Sequence, residues 1–550
     1  MTSLAADLIL YGGHVRTGLR DQLHQAVAVL NGRIVAVGTN AQLHELRGPH
    51  TVSLDLRDRL VLPGFQDAHI HPVEGGLTRQ QCDLHEQATA PEYLAAICEY
   101  ARSHPAAPWI VGGGWSMDAF PGGVPHRSPL DAVVQDRPVF LPNRDGHSTW
   151  VNSRALELAG IDERTPDPPD GRIERDPDGM PTGVLHEGAA RLVSGLLPPL
   201  TAQDRRAGLL AGQRYLHSLG ITGWQDAIVG GDVAEQDSYQ TYCDAAASGE
   251  LTARVVGALW WERSRGLDQL PELIARRDAS RIGRFAATSV KLMVDGVLET
   301  RTAAMRTPYL QADGSPSADV GMSFLDAETL REIVVEIDAA GLQAHFHAIG
   351  DRAVRDALDA VEAARIINGN NDTRPHIAHL QVVHPDDRVR FALTGVAANA
   401  QPLWACYEPQ MTQLTIPQLG PERAGWQYPF ADLHHSGAVL AAGSDWPVST
   451  PNPLEEIHVA VNRRAIDTPC EPAFLPEQAL TLHEAVAAFT IGSAHVNHLD
   501  QLTGTLQVGK RADFAVLDRD IFTEPADRIG EAVVDLTFVD GDLVFERNVS

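Results

Sequence analysis

The sequence predicts an α/β protein: a TIM-like (β/α)8 barrel, a small β-sandwich domain built from both chain termini, and a long insertion after the first barrel strand. Three observations predict it. Eight short apolar segments alternate with amphipathic helical stretches through the middle of the chain. Hairpin signals stand at both ends. Histidines, a lysine and an aspartate recur where apolar segments end, the face on which such a barrel carries its chemistry.

The elements follow in order. Gln25–Leu30 and Arg33–Val37 flank Asn31-Gly32, and both turn positions of such a hairpin need φ > 0, which Asn and Gly accept at low cost. The C-terminus repeats the device, with Asp540-Gly541 between two apolar runs and a further strand at Ala512–Leu517. Residues 1–60 and 496–550 are therefore expected to form the small β-sandwich domain, with residues 61–495 as the barrel. The barrel strand candidates are Val61–His71, Ile221–Asp226, Arg254–Leu259, Ser289–Val294, Gln343–His347, His376–Leu380, Gly395–Ala400 and Ala438–Asp445. Leu330, Ile333, Val334 and Ile337 lie on one helical face, with Gly341 as the stop. Asp351 is expected to cap a second helix whose face is Val354, Ala357, Leu358 and Val361. The insertion, about residues 76–200, carries extra strands at Trp109–Trp115 and Arg137–Pro142 and a Pro/Asp-rich loop at Thr165–Pro181.

Composition narrows the function classes. In 550 residues, 72 acids against 44 bases give a formal charge of −28, which argues against nucleic acid or an anionic membrane as partner. The five cysteines are scattered and contain no Cys-x-x-Cys pair, so neither a disulfide framework nor a zinc ribbon is expected. No basic stretch opens the chain and no apolar run reaches the roughly 18 residues of a membrane span. A cytoplasmic enzyme with reduced thiols is the expectation.

The chemistry begins at His69-Ile-His71. Side chains two apart on a strand share a face, so both imidazoles can reach one cation, although a wet-face pair serving only packing would read the same. Further strand ends supply Lys291, His345, His347, His379 and Asp445. Neutral imidazoles and carboxylates are good ligands for zinc and for other divalent ions.

Pro63-Gly-Phe-Gln-Asp-Ala-His69-Ile-His71, Lys291 in an apolar strand, His347-Ala-Ile-Gly-Asp351, His379 and Gly443-Ser-Asp445 resemble the amidohydrolase superfamily. Thr503–Leu517 is similar to its C-terminal β-domain. Asn143-Arg-Asp-Gly-His147-Ser with Asn152–Leu156 resembles the family 3 branch that includes N-substituted formamide deformylases. The resemblance implies a metal-dependent barrel hydrolase, and a homodimer. His69 and His71 would hold a first metal, a carboxylated Lys291 would bridge, and His347 and His379 would hold a second; the cofactor is a divalent metal, expected to be zinc, with one or two ions per chain. Asp445 would be both ligand and proton acceptor. An alternative for Lys291 is an ion pair with Asp295 or Glu299.

His147 is a candidate for polarising a carbonyl or for the substrate pocket. Trp115, His186, Trp404 and Trp446 are candidates for its wall, although large aromatics are more often core; His345 is a candidate for substrate contact, for a substitute ligand or for support behind the ligands. His434-His435 reads as surface. The expected reaction is hydrolysis of a C–N bond in a small amide, formamide or cyclic amide. The rivals are a one-metal deaminase, which has no need of Lys291, an ester hydrolase, and a binding protein that has lost its chemistry.

Overall fold

The computed structural model describes residues 5–18, 23–230 and 237–548. Eight parallel strands form its central sheet: Phe65–Ile70, Ile221–Val229, Arg254–Trp260, Phe285–Met293, Gln343–Ala348, His376–His379, Ala397–Ala400 and Leu440–Ala442, each paired with the next in chain order. The sheet curls into a nearly closed barrel. Across the seam between the first and eighth strands, the Asp445 amide donates to His69 O at 2.7 Å and the His71 amide to Trp446 O at 2.8 Å. Those two bonds lie at the C-terminal ends of the strands, beside the clustered histidines.

All eight expected strands are present, but the first is shorter than expected, as is the eighth, Leu440–Ala442 in place of Ala438–Asp445. Val61–His71 divides at Gly64: Leu60–Pro63 leaves the barrel and pairs with Phe514–Leu517, while Phe65–Ile70 enters it. A Cβ on residue 64 would lie 2.4 Å from the Thr222 side chain, so only glycine allows the chain to cross there. The expected cap at Asp351 is also displaced. Gly350 is the N-cap of helix Asp351–Asn368, and the Asp351 carboxylate instead accepts from the Arg306 amide at 2.9 Å. Helices Ala327–Ala339 and Asp351–Asn368 bury the expected faces against the barrel.

Both terminal hairpins form. Ala26–Leu30 pairs with Arg33–Gly38 and Val534–Val539 with Asp542–Glu546, with Asn31, Gly32, Asp540 and Gly541 all at positive φ. They belong to a four-stranded and a six-stranded sheet that share a buried cluster including Leu10, Val27, Val61, Phe514 and Phe538. The insertion has its own six-stranded sheet, running from Gly171–Arg175 through Pro181–Glu187, Ser148–Val151, Val139–Pro142 and Ile110–Gly113 to Cys82–Asp83. The segment Thr165–Pro181 is thus not all loop. Its Gly171–Arg175 pairs antiparallel with Pro181–Glu187. Among the described residues no helix is long and apolar enough to cross a membrane.

His217 ties the barrel to the terminal sheet. Its Nδ1 donates to Ile221 O at 2.9 Å, its Nε2 accepts from Thr252 at 2.8 Å, and its own carbonyl accepts from Thr537. Burial pushes its pKa down from 6.5 to about 4. The unfolded chain therefore takes up this proton first as pH falls, so the His217 contribution is complete above about pH 6.5 and declines towards pH 4. It should account for about 2 kcal/mol of the stability lost between pH 7 and pH 5. Urea midpoints at both pH values check this: His217→Gln should show the smaller pH-dependent drop, and an equal drop would contradict the assignment.

Candidate metal centre

The site is assembled at the C-terminal ends of the barrel strands. Strand one supplies His69 and leads into His71, strand four carries Lys291, strand five His347, strand six His379, and the turn after strand eight Asp445. The Asp67 carboxylate accepts from the His69 amide at 2.9 Å and from the Ser444 amide at 3.1 Å, which locks the first strand to the Asp445 turn. His379 and Asp445 both sit in the left-handed region, at φ 77° and 58°. Such backbone costs about 1–3 kcal/mol per residue and persists where its surroundings enforce it. Here Gln401 Oε1 accepts from the His379 amide at 2.6 Å, and His69 O from the Asp445 amide.

Ring and carboxylate atoms of His69, His379 and Asp445 lie within 4.8 Å of one another, all buried. Asp445 Oδ1 is 2.9 Å from His71 Nε2 and 3.1 Å from His69 Nε2, and its Oδ2 is 3.8 Å from His379 Nδ1. Lys291 Nζ is 3.3 Å from His69 Nε2. The His347 ring lies 4.4 Å from that of His379, but its Nε2 faces Gly296 O at 3.2 Å. Burial pushes His347 and His379 well below the ordinary imidazole pKa and His69 down to about 3, so these rings are neutral donors. Burial alone would raise the Asp445 carboxyl; the hydrogen bond from His71 opposes this, and the carboxyl is held well below the usual range.

The residues fit a cation. His379 Nδ1 is buried beside Asp445 without a hydrogen-bond partner, an arrangement that is costly unless something accepts its lone pair. Neutral imidazoles around an ionised carboxylate are a donor set suited to a divalent ion. His69, His71, His379 and Asp445 could hold one, with His347 and Lys291 at its edge.

The insertion brings His147 to this cluster. Its ring is 5.6 Å from that of His347, and its Nδ1 is 3.0 Å from both carboxylate oxygens of Glu187. Glu187, which the sequence did not single out, also accepts from Thr302 at 2.8 Å, so the insertion is clasped to the loop after strand four. Burial lowers the His147 pKa, but the Glu187 carboxylate more than reverses this and holds it at about 9. Trp404 is half-buried and stacks on His379 with centroids 5.9 Å apart.

Other expected site residues lie elsewhere. Trp115 is fully buried in the core of the insertion, packed on Phe120 and Trp150 with its N–H donated to Leu141 O. His186 is held in the insertion sheet between Ser148 and Glu174. Trp446 packs on Tyr215 and against Gly75, behind the centre, because the Asp445 turn sends consecutive side chains to opposite sides. His345 lies beneath His69, with both ring nitrogens hydrogen-bonded and no exposed surface, so it is neither a ligand nor a substrate contact. Lys291 pairs with neither Asp295 nor Glu299. The Asp295 carboxylate is enclosed by the amides of Ala304, Ile349 and Gly350, and Glu299 accepts from Thr415. His434 pairs with Glu484 at the surface.

Comparison with known proteins agrees with this geometry. The amidohydrolase family profile matches residues 53–545. The chain is 30% identical to protein LONG AFTER FAR-RED 3 of Arabidopsis thaliana, over 98% of this chain and 92% of that protein. It is 29% identical to the N-substituted formamide deformylase of Arthrobacter pascens, over 99% of each chain. Among solved structures it resembles an uncharacterized metal-dependent hydrolase of Pyrococcus furiosus, at 27% identity and a TM-score of 0.70, covering 93% of this chain and 99% of that one. With a profile match over nearly its whole length, the chain belongs to the amidohydrolase family.

Proposed function

We propose that this chain is a metal-dependent hydrolase that cleaves the C–N bond of a small amide-type substrate, such as an N-substituted formamide or a cyclic amide. The observation that carries the reading is the buried convergence of His69, His379 and Asp445, with His379 Nδ1 left without a hydrogen-bond partner. The formamide deformylase relative supports the choice of bond. In this reading His69, His71, His347, His379 and Asp445 are the ligands. Lys291, whose pKa burial pushes down to about 7, provides the neutral amine that carboxylation requires.

A divalent cation, zinc in our reading, acidifies water and polarises a carbonyl when bound. Asp445 accepts the proton of the attacking water and passes it to the departing nitrogen, a general-base and then general-acid role. Oxygen adds to the carbonyl carbon, the C–N bond breaks, and the products are a carboxylate and an amine. With Nδ1 held by Glu187, His147 retains Nε2 to donate to the carbonyl oxygen. Trp404 forms an apolar wall beside His379. The terminal sheets, residues 1–60 and 496–550, are read as one β-sandwich domain, the barrel as 61–495, and the insertion, about 76–200, as the part that shapes substrate choice.

A panel of formamides, N-acyl amines, cyclic amides, esters and amino-heterocycles, incubated with protein of known metal content, tests the reading. Amine and carboxylate should appear in equal amounts from an amide, disappear on chelation and return with zinc. Ammonia released only from heterocycles, or turnover that survives complete metal removal, would refute it.

A further inference from the structure

The barrel interior beneath His69 is polar, where such barrels ordinarily pack branched apolar side chains. His345, His376, Gln225 and Asn399 have no exposed surface, and Gln343 and Gln401 have almost none. Each is hydrogen-bonded to the next, and the direction of every bond can be worked out from one end.

That end is the main chain at the bottom of the barrel. Carbonyl oxygens only accept, so the Gln343 amide must turn Nε2 toward Arg374 O at 2.7 Å and Val496 O at 2.8 Å. Its Oε1 is then an acceptor, and Gln225 Nε2 donates to it at 3.0 Å and to Asn497 Oδ1 at 3.2 Å. Gln225 Oε1 consequently faces two imidazoles, His345 Nδ1 at 2.6 Å and His376 Nε2 at 3.0 Å, and both must donate. No carboxylate pairs with either ring among the described residues, and an unpaired buried imidazolium is costly, so each ring carries one proton. His345 Nε2 is therefore an acceptor. Its partner at 2.8 Å is His69 Nδ1, which must donate.

The second branch agrees. With His376 Nε2 donating, its Nδ1 accepts from Asn399 Nδ2 at 3.2 Å, and Asn399 Nδ2 also donates to a main-chain carbonyl, Ala68 O, at 3.0 Å.

We infer that the chain Gln343–Gln225–His345 fixes His69 in its Nδ1–H tautomer, so that Nε2 presents a lone pair to a divalent cation. Gln343, Gln225 and His345 are then positioning residues, acting through His69. The inference rests on the metal-centre reading above. Its geometric signature is on the upper side of the ring: His69 Nε2 and Asp445 Oδ1 face each other as two acceptors at 3.1 Å, with the Lys291 amine 3.3 Å from the same nitrogen. Two facing lone pairs repel, and the Lys291 amine donating to Nε2, or a cation bound beside both acceptors, relieves that repulsion. A buried polar chain that only filled space would have no reason to end in that polarity.

Cobalt(II) titration of metal-stripped protein, read by visible d–d absorption, tests this without reference to turnover. Gln225→Met and His345→Leu remove the acceptor while keeping bulk, and each should weaken Co2+ binding about 10–100-fold and alter the spectrum. His345→Gln offers a carbonyl oxygen to His69 Nδ1–H and should stay within about threefold of the wild type. Gln66→Met is the control for a purely structural effect: it breaks a buried barrel hydrogen bond, to Thr503, that has no link to His69. It should lower the Tm of the stripped protein and leave Co2+ affinity unchanged.

Wild-type affinity and spectrum in His345→Leu would overturn the inference, as would equal losses in His345→Leu and His345→Gln. If Gln225→Met does not fold, the His345 pair decides alone. Wild-type protein that binds no Co2+ would instead refute the metal centre itself, and the inference with it.

Discussion

Asp445→Asn should fold and retain metal, yet lose about a thousandfold in kcat. The fold is kept because Asn is among the few residues that accept φ 58° without a large penalty, and because the seam bond from residue 445 to His69 O uses the main-chain amide. Metal is retained because an amide oxygen can replace one carboxylate oxygen while the imidazoles are unchanged. What disappears is the proton acceptor: an amide cannot take a proton from water at neutral pH. General-base catalysis contributes about 10²–10⁴-fold, which sets the expected loss. KM should change far less, since substrate binding does not depend on that proton. Elemental analysis together with steady-state kinetics measures both. A metal-replete variant within tenfold of wild-type kcat would remove Asp445 from the proposed chemistry.

Arg254→Ala should cost about 3–5 kcal/mol, the largest stability effect we expect from a single change outside the site. Arg254 begins the third barrel strand and points out of its lower end. Its guanidinium is 2.9 Å from Asp513, with side chains only 9% and 3% exposed, and it also reaches Asp540. Asp540 keeps Arg284 and Arg511 when Arg254 is removed, but among the described residues Asp513 keeps only the Asp540 amide. A buried carboxylate would be left without its cation, which costs more than the pair contributes when intact. The loss should fall on the contact between the barrel and the terminal sheets, since Asp513 O also accepts from the Gly64 amide where the chain crosses into the barrel. Urea unfolding measures it, and a shift under about 1 kcal/mol would mean that water or a rearranged Arg511 replaces the clamp.

Much of the fold could be read from local pattern. The eight barrel strands and the helices at 327–339 and 351–368 follow from apolar periodicity and stop signals, and the two hairpins from Asn31-Gly32 and Asp540-Gly541. The failures came from contacts distant along the chain. The division at Gly64 depends on the approach of Thr222, and the cap at Gly350 on the claim that Arg306 makes on Asp351. Neither neighbour is near in sequence. Strand-end position was enough to predict that His69, His71, Lys291, His347, His379 and Asp445 stand together, because alternation along a strand and parallel order decide which ends share a face. It failed for the tryptophans, since a large aromatic reads the same whether it lines a cleft or fills a core. Trp115 fills the insertion core and Trp404 stacks on His379.

The sequence alone, then, determined that a set of imidazoles and a carboxylate stands at one end of a parallel barrel, because residue type and strand period are local properties. Only the tertiary structure decided how they are used. Glu187 meets His147 across 40 residues, and Gln225 meets His345 across 120. Hydrogen-bond direction, and with it which nitrogen of His69 is free, depends on what lies within about 3 Å in space. Chain distance carries no information about that.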